Sequence, residues 1–505
     1  MKHLLLFFSI IILFVSQTFA THNRAGEITF RQDSLLLLRY HITIVTYTKT
    51  SSIADRPTLP MSWGDGTNDT LPRANGNGDP VPGSTDIQVN YYYGTHDYPG
   101  PGTYFISFED PNRNAGVVNI PNSVSIPFYI ETMLIINPFI GTNSSPVLLE
   151  PPIDEACVNK LFIHNPNAFD PDGDSLSYIL LANKGAGGVV IPGYTIPPAS
   201  NSISLDPLTG DFIWETPTMQ GEFNIAILIE EWRNGTRIGY VTRDMQINVN
   251  AVCQNNPPVF DPLPDFCVEA GTTIQFNVTA NDPPPVNIVT LSATGAPFAP
   301  PLGNTITNPA FFQGVSGTGS VTGTFMWNTH CVHVRKQPYQ VLFKAKDNGT
   351  VKLADLERVN ITVVSPSPKN PAANPLGSNI ELTWDASICT GVLGYDIYRR
   401  GGFFGFVPSQ CETGVPAYTG YTKIATVNGL FNTTYSDNNN GAGLSPGIEY
   451  CYMIVSVFPD GAESYASVEV CAELKKDIPV ITNVSIASTD VNTGEVYVAG
   501  SKPSE

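Results

Sequence analysis

The chain has 505 residues and a formal charge of −19, which excludes nucleic acid as a partner, because a phosphate backbone calls for a basic face. Only 14% of the residues are charged, and 43 are glycine and 43 proline. With Val, Ile, Thr, Tyr and Phe in short alternating runs, this composition predicts many short strands joined by turns rather than long helices. A chain of this length also exceeds a single hydrophobic core and is expected to divide into several units.

At the amino terminus, Lys2 and His3 precede an apolar run from Leu4 to Val15, and Thr18-Phe19-Ala20 ends on a small residue. This is the pattern of a secretory signal peptide over residues 1–20, and the apolar run is shorter than the roughly 20 residues that a membrane span requires. No later segment reaches spanning length, so no transmembrane span is expected and the product is placed as secreted or on the outer cell surface. The 8 cysteines are then expected in disulfides.

Proline-rich breaks at Asn143-Ser-Ser-Pro-Val147, Asn255-Asn-Pro-Pro-Val259, Ser365 to Pro371 and Lys475 to Pro479 divide the chain into consecutive units. The expected modules are 21–142, 143–252, 253–366 and 372–474, and 479–505 reads as the first strands of a further one. The fold class that follows is all-β, with tandem Ig-like β-sandwich modules arranged as beads on a string.

In the first module, Trp63-Gly-Asp-Gly-Thr67 forms a tight turn in which Gly64 and Gly66 permit positive φ and Asp65 bonds its own backbone. It is followed by His96-Asp-Tyr98 and Pro101-Gly-Thr-Tyr-Phe-Ile106, and the combination resembles a PKD (polycystic-kidney-disease) domain. The second and third modules are one design used twice. Each opens on Asn-x-Pro-Val or its near equivalent, and each carries a cysteine (Cys157, Cys267). An Ala-x-Asp-Pro turn at Asp170 or Asp282 follows, then Phe-x-Trp at Trp214 or Trp327, then a strand ending in an acid, Glu230 or Asp347. This pair resembles the cadherin-like and Ig-like modules of bacterial surface proteins, in which a D-x-D turn and a late acid meet at one pole. In the fourth module, Leu382-Thr-Trp384, Tyr395-Asp-Ile-Tyr398 and Leu444 to Tyr452 resemble a fibronectin type III domain, although its four cysteines depart from that pattern. As an ensemble, the chain is similar to the large gliding-motility-associated exported proteins of Bacteroidota, and it reads as the amino-terminal part of one. Members of that group usually end in a carboxy-terminal sorting domain, which is not among these residues, so the resemblance implies surface attachment only if a further part carries it.

The candidate site is Asp170-Pro-Asp172-Gly-Asp174, with Glu230 or Glu231 arriving from a later strand. Carboxylates this close repel one another unless a cation intervenes, and Ca²⁺ accepts six to eight oxygens in flexible geometry. Calcium is thus the expected cofactor, and a solvated Asp- and Gly-rich turn without metal is the alternative. The third module keeps only Asp282 and Asp347. His330-Cys331-Val-His333 argues poorly for zinc, because strand alternation would send the two histidines to opposite faces.

Spacing within modules predicts disulfides Cys157–Cys253, Cys267–Cys331, Cys389–Cys411 and Cys451–Cys471. Cys253 lies on a linker and could meet Cys267 instead. Neither G-x-S-x-G, H-E-x-x-H nor a P-loop occurs, so no enzyme is expected. Trp63, Trp214, Trp327 and Trp384 are expected in cores and Trp232 on the surface. The leading function is a non-catalytic structural or adhesion protein that meets an extracellular protein or polysaccharide ligand. The alternative is a carbohydrate-binding or accessory region of a larger polysaccharide-degrading enzyme. More sandwich repeats or a catalytic domain beyond Glu505 would discriminate between them.

Overall fold

The computed structural model describes residues 23–52, 55–81, 84, 86–298, 306–474 and 480–501, so the expected signal peptide lies outside the described residues. The architecture is all-β, as composition and alternation predict. Among the described residues no helix is long and apolar enough to cross a membrane. Contact density separates two compact units. The first comprises residues up to 266 with 273–328 and 337–361, and the second comprises 267–272, 329–336 and 362 onward.

The first unit begins with β1 (Asn23–Gln32), β2 (Arg39–Lys49), β3 (Thr58–Ser62), β4 (Asn68–Pro72), β5 (Asp79–Pro80), β6 (Ile87–Asp97), β7 (Gly102–Asp110) and β8 (Phe128–Ile136). There follow β9 (Val147–Leu148), β10 (Ile153–Cys157), β11 (Phe162–His164), β12 (Ala168–Phe169), β13 (Ser175–Leu181), β14 (Ile203–Leu205), β15 (Phe212–Trp214), β16 (Gly221–Arg233) and β17 (Thr236–Asn250). Two cores form, each from the inward residues of alternating strands. Ile28, Ile42, Ile44, Trp63, Tyr92, Ile106 and Phe128 build one. Phe162, Phe212, Trp214, Phe223, Ile225, Ile227 and Met245 build the other.

The break expected near residue 143 does not interrupt the hydrogen bonding. A 12-stranded sheet runs β4-β3-β7-β8-β17-β1-β2-β6-β5, with β10, β13 and β16 joined to it through β17 and β16. One edge of β17 pairs with β16 from Thr236 to Val249. The other edge is shared: residues 239–241 pair with β8, Asp244 with Gly26 of β1, and 246–250 run parallel to β10. The 15 residues of β17 reach about 50 Å at strand rise, longer than one sandwich face, so the strand serves both cores. Its polar middle makes this tolerable. Arg243 Nε donates to Glu27 Oε2 (2.6 Å), Asp244 Oδ2 accepts from Arg113 Nη2 (2.5 Å), and Gln246 Oε1 accepts from Arg24 Nη1 (2.5 Å), all buried. Buried ionic groups persist only when paired in this way.

The third expected module also places strands in the first unit. Ser320–Asn328 alternates exposed and buried along its whole length and pairs with Thr273–Asn281. Facing it, Tyr339–Asp347 pairs with Ile288–Gly295 and Ala354–Val364. Phe276, Phe325 and Phe343 meet between the sheets. Lys344 reaches Glu150 Oε2 (3.3 Å) and Asp154 Oδ2 (3.4 Å), which joins the second and third expected modules by partly buried ion pairs.

In the second unit, Ala372–Leu376, Asn379–Thr383 and Thr434–Asp437 form one sheet. Thr422–Asn428, Gly394–Gly401, Glu449–Val457 and Val470–Glu473 form another, in that order. Ile380, Leu382, Trp384, Tyr395 and Ile397 are buried, and Tyr452 Oη donates to Asp437 Oδ2 (2.8 Å). Val480–Ser488 and Glu495–Ser501 pair as a hairpin.

The disulfides correct two of the expected pairings. Cys157–Cys253 closes the second module and Cys451–Cys471 lies directly across paired strands. Cys267, however, bonds Cys411 (Cα–Cα 5.8 Å) and Cys331 bonds Cys389 (Cα–Cα 5.0 Å), in place of Cys267–Cys331 and Cys389–Cys411. Cys331 sits on a 3₁₀ turn, Cys331–His333, not on a strand, and that turn belongs with the second unit. There Lys336 N–H donates to Asp460 Oδ2 (2.7 Å), which holds the turn beside the strands of the second unit and brings Cys389 within bonding reach.

Candidate functional site

The turn after β12 and the strand β16 bring the acidic candidates together in the first unit. Asp170 closes the turn on itself: its Oδ1 accepts the N–H groups of Asp172 and Asp174, both at 2.9 Å. Its Oδ2 is buried and has no hydrogen-bond partner. Asp170, Asp174 and Glu231 are all buried, and each offers a carboxylate oxygen within 4.8 Å of the others.

Glu230 and Glu231 are neighbours on β16 and point apart, as strand geometry requires. Glu231 turns toward the aspartates. Glu230 faces away, accepting from Arg237 Nη1 (2.7 Å) and Ser177 Oγ (3.0 Å), so it is no part of the cluster. Gly239, opposite Glu231 on β17, makes the room: a Cβ there would collide with Glu231 Oε2 and lie 3.1 Å from the Met133 carbonyl oxygen. Asp172 is exposed and off the centre. Its Oδ2 accepts the Ser144 N–H (2.5 Å) and ties the module's opening segment to the turn.

One cation serves this group. Arg233 binds Asp174 through both arms, Nε–Oδ1 at 2.7 Å and Nη2–Oδ2 at 2.5 Å. Its remaining N–H groups donate to the carbonyls of Ile140 (2.6 Å) and Thr142 (2.8 Å) and to Asn143 Oδ1 (3.2 Å). Arg233 satisfies Asp174 and leaves Asp170 and Glu231 facing each other without a counter-charge. Burial, reinforced by the neighbouring Asp174, pushes Asp170 up to about 7. Burial and the Asp170 charge raise Glu231 well above the usual carboxyl range. Such a pair must share a proton or hold a cation.

The oxygens fit a hard cation. Ca²⁺ takes oxygen ligands at about 2.3–2.6 Å, so oxygens on opposite sides of one ion lie up to about 5 Å apart, the scale of this cluster. Asp170 Oδ2 and Glu231 would be the ligands, with Asp174 available only in part because Arg233 occupies it.

The repeated module has a smaller version. Asp282 and Asp347 are both buried, and Asp282 Oδ1 has no partner. Asn255 Nδ2 donates to Asp347 Oδ2 (2.6 Å), as Asn143 Nδ2 approaches Glu231 Oε1 (3.4 Å). Sequence reasoning missed Asn143, Asn255 and Arg233. The two asparagines had a signal, since each opens its module at the same distance ahead of Asp170 and Asp282.

Among the described residues the other group of three ligand-type side chains is Glu449, Cys451 and Cys471, whose two sulfurs are bonded to each other. His330 and His333 share the 3₁₀ turn instead of opposite strand faces, with the His330 N–H donating to His333 Nδ1 (3.0 Å). Trp63, Trp214, Trp327 and Trp384 are buried. Trp232, expected on the surface, is half-buried, and its Nε1 donates to Ser177 Oγ (2.9 Å). In the Trp63 turn, Gly64 and Gly66 have φ of 84° and 92°, and Asp65 accepts the Thr67 N–H (2.9 Å) and meets His96 Nε2 (2.8 Å).

No protein-family model matches the sequence, and no curated protein matches it. Solved structures do. The I-band fragment I67–I69 from titin is 8% identical, covering 65% of this chain and 98% of its own, at a TM-score of 0.21. A two-domain fibronectin type III segment from chicken tenascin is 13% identical, covering 43% of this chain and 98% of its own, at 0.21. A chimeric titin Z1Z2–Z1Z2 tandem carrying a GRGDS peptide is 12% identical, with the same coverages, at 0.17.

Proposed function

We propose that this chain is a non-catalytic, exported structural or adhesion protein of the gliding-motility-associated surface type, in which Ca²⁺ bound by Asp170 and Glu231 stiffens the junction between the first two modules. The observation that carries the cation is the buried, unpartnered Asp170 Oδ2 facing Glu231 with no counter-charge left over. Four disulfides, with no free cysteine among the described residues, support export into an oxidising compartment. The cluster lies where Asn143 and Ser144 enter the second module, so an ion there would brace the segment from β8 to the Asp170 turn against the shared strand β17. A role in catalysis is disfavoured because these carboxylates are buried and held by backbone N–H groups and Arg233, out of reach of a substrate.

The test is calorimetric titration of Ca²⁺, with Mg²⁺ as a control, into the full chain and its Glu231→Gln variant. Binding of about one Ca²⁺ by the parent that the variant loses supports the proposal. No heat from the parent at millimolar Ca²⁺, with the chain folded, overturns it.

A further inference from the structure

A concavity of about 360 Å³ opens on the outward face of β1, β2 and β6. Alternation puts Ile28, Phe30, Ile42 and Tyr92 into the core, so their neighbours must face out, and antiparallel register aligns them in two rows. Thr29, Thr43 and Tyr93 form one row, and Arg31, His41 and Thr95 form the other. Ser144, Val147 and Pro171 complete the lining.

The chemistry of the two rows is unusual for this chain. Tyr93 is 47% exposed, and its ring lies parallel to that of Tyr91, 8° apart. Arg31 is exposed and makes no ion pair among the described residues, in a protein whose formal charge is −19. His41 is oriented at both nitrogens, by Thr95 Oγ1 and Asp33 Oδ2, each at 3.0 Å. The floor thus offers an aromatic ring, three threonines and an arginine on one face of the sheet.

We infer that this groove is a binding site for an acidic oligosaccharide, one bearing uronate carboxylates. The apolar C–H face of a pyranose ring stacks on an aromatic face such as Tyr93, and its hydroxyls exchange hydrogen bonds with hydroxyl side chains at strand spacing. A guanidinium takes a carboxylate through two parallel N–H···O bonds, which a neutral sugar cannot supply. The volume lies within the range of small-ligand sites. The groove shares Ser144 and Pro171 with the segment and turn of the carboxylate cluster, and the calcium and chelator arms of the experiment tell failure of one proposal from failure of the other.

The experiment titrates the full chain, in calcium and again in chelator, with a galacturonic acid trisaccharide, a glucose trisaccharide and a short polyglutamate peptide, following chemical shifts or heat. The expected result is saturable binding of the uronate, at least tenfold tighter than of the neutral sugar or the peptide. Tyr93→Ala is expected to weaken uronate binding at least tenfold, and Arg31→Gln to erase the preference for the acidic sugar. Both side chains are exposed, and a circular dichroism spectrum identical to the parent's confirms folding. No uronate binding at millimolar concentration, equal binding of the peptide, or uronate binding unchanged in Tyr93→Ala would overturn the assignment.

Discussion

Replacing Asp170 by Asn should stabilise the ion-free protein, and by more as the pH rises. The amide keeps an oxygen where Oδ1 accepts the N–H groups of Asp172 and Asp174, and it puts an NH₂ donor where Oδ2 faces Glu231. In the parent, Asp170 is raised to about 7 by burial and by Asp174, from an ordinary 3.8. The folded state therefore binds more protons than the unfolded state between about pH 4 and pH 7, and stability must fall with rising pH across that window. Three units at 1.36 kcal/mol each set an upper bound of about 4 kcal/mol on the Asp170 share lost as the pH rises to about 7, and Glu231, raised by burial and by the Asp170 charge, continues the trend in the same direction above it. Other groups also titrate there. Buried His164 is shifted down and so adds stability as the pH rises, which is why the difference between variant and parent is the informative quantity. A chain of several modules need not unfold in one step, so the assay is amide hydrogen exchange of β16 and β17 in chelator, from pH 5 to 8. The variant's advantage should grow steadily with pH, by roughly 1 kcal/mol per pH unit as the pair gives up a proton. Calcium at a hundredfold excess over Kd should restore about 2.7 kcal/mol to the parent and nothing to the variant. An offset between the two proteins that stays the same from pH 5 to 8, or equal stabilisation of both by calcium, would refute the electrostatic reasoning.

Gly239→Ala should destabilise the first unit by about 1–3 kcal/mol, because the added methyl meets Glu231 Oε2 and the Met133 carbonyl, and thermal unfolding will show it. Asp244→Ala strands Arg113 as a buried charge and should cost about 3–5 kcal/mol. Amides of β1 and of β16 should lose protection together in this variant, and loss confined to β16 would contradict the shared sheet. Non-reducing digestion should yield linked peptides containing Cys267 with Cys411 and Cys331 with Cys389, read by mass spectrometry. Trp214→Ala should cost about 3–5 kcal/mol in chemical unfolding, since its ring is fully buried against Phe223.

The features legible in the sequence are those set by neighbours along the chain. Short alternating runs of Val, Ile, Thr, Tyr and Phe marked an all-β chain, the Gly64 and Gly66 turn needed only local φ, the Phe-x-Trp repeat marked two cores, and Asp170 to Asp174 lie within one turn. What remained hidden depends on which distant segment arrives. Alternation assigns residues to two faces and says nothing of the strand that lies alongside, so β17 could be seen as a strand but not as one shared by β8, β1 and β10. Glu231 joins the aspartates in place of Glu230 because the register of β16 against β17 sets which of two adjacent acids faces them, with Gly239 leaving it space. Arg233 reaches Asp174 from just past the register shift that follows Glu231. Cysteine pairing went the same way: four cysteines within two neighbouring modules admit several partners at reasonable loop lengths, and only the packing of the 3₁₀ turn at Cys331 brings Cys389 to a Cα separation of 5.0 Å, which a disulfide spans.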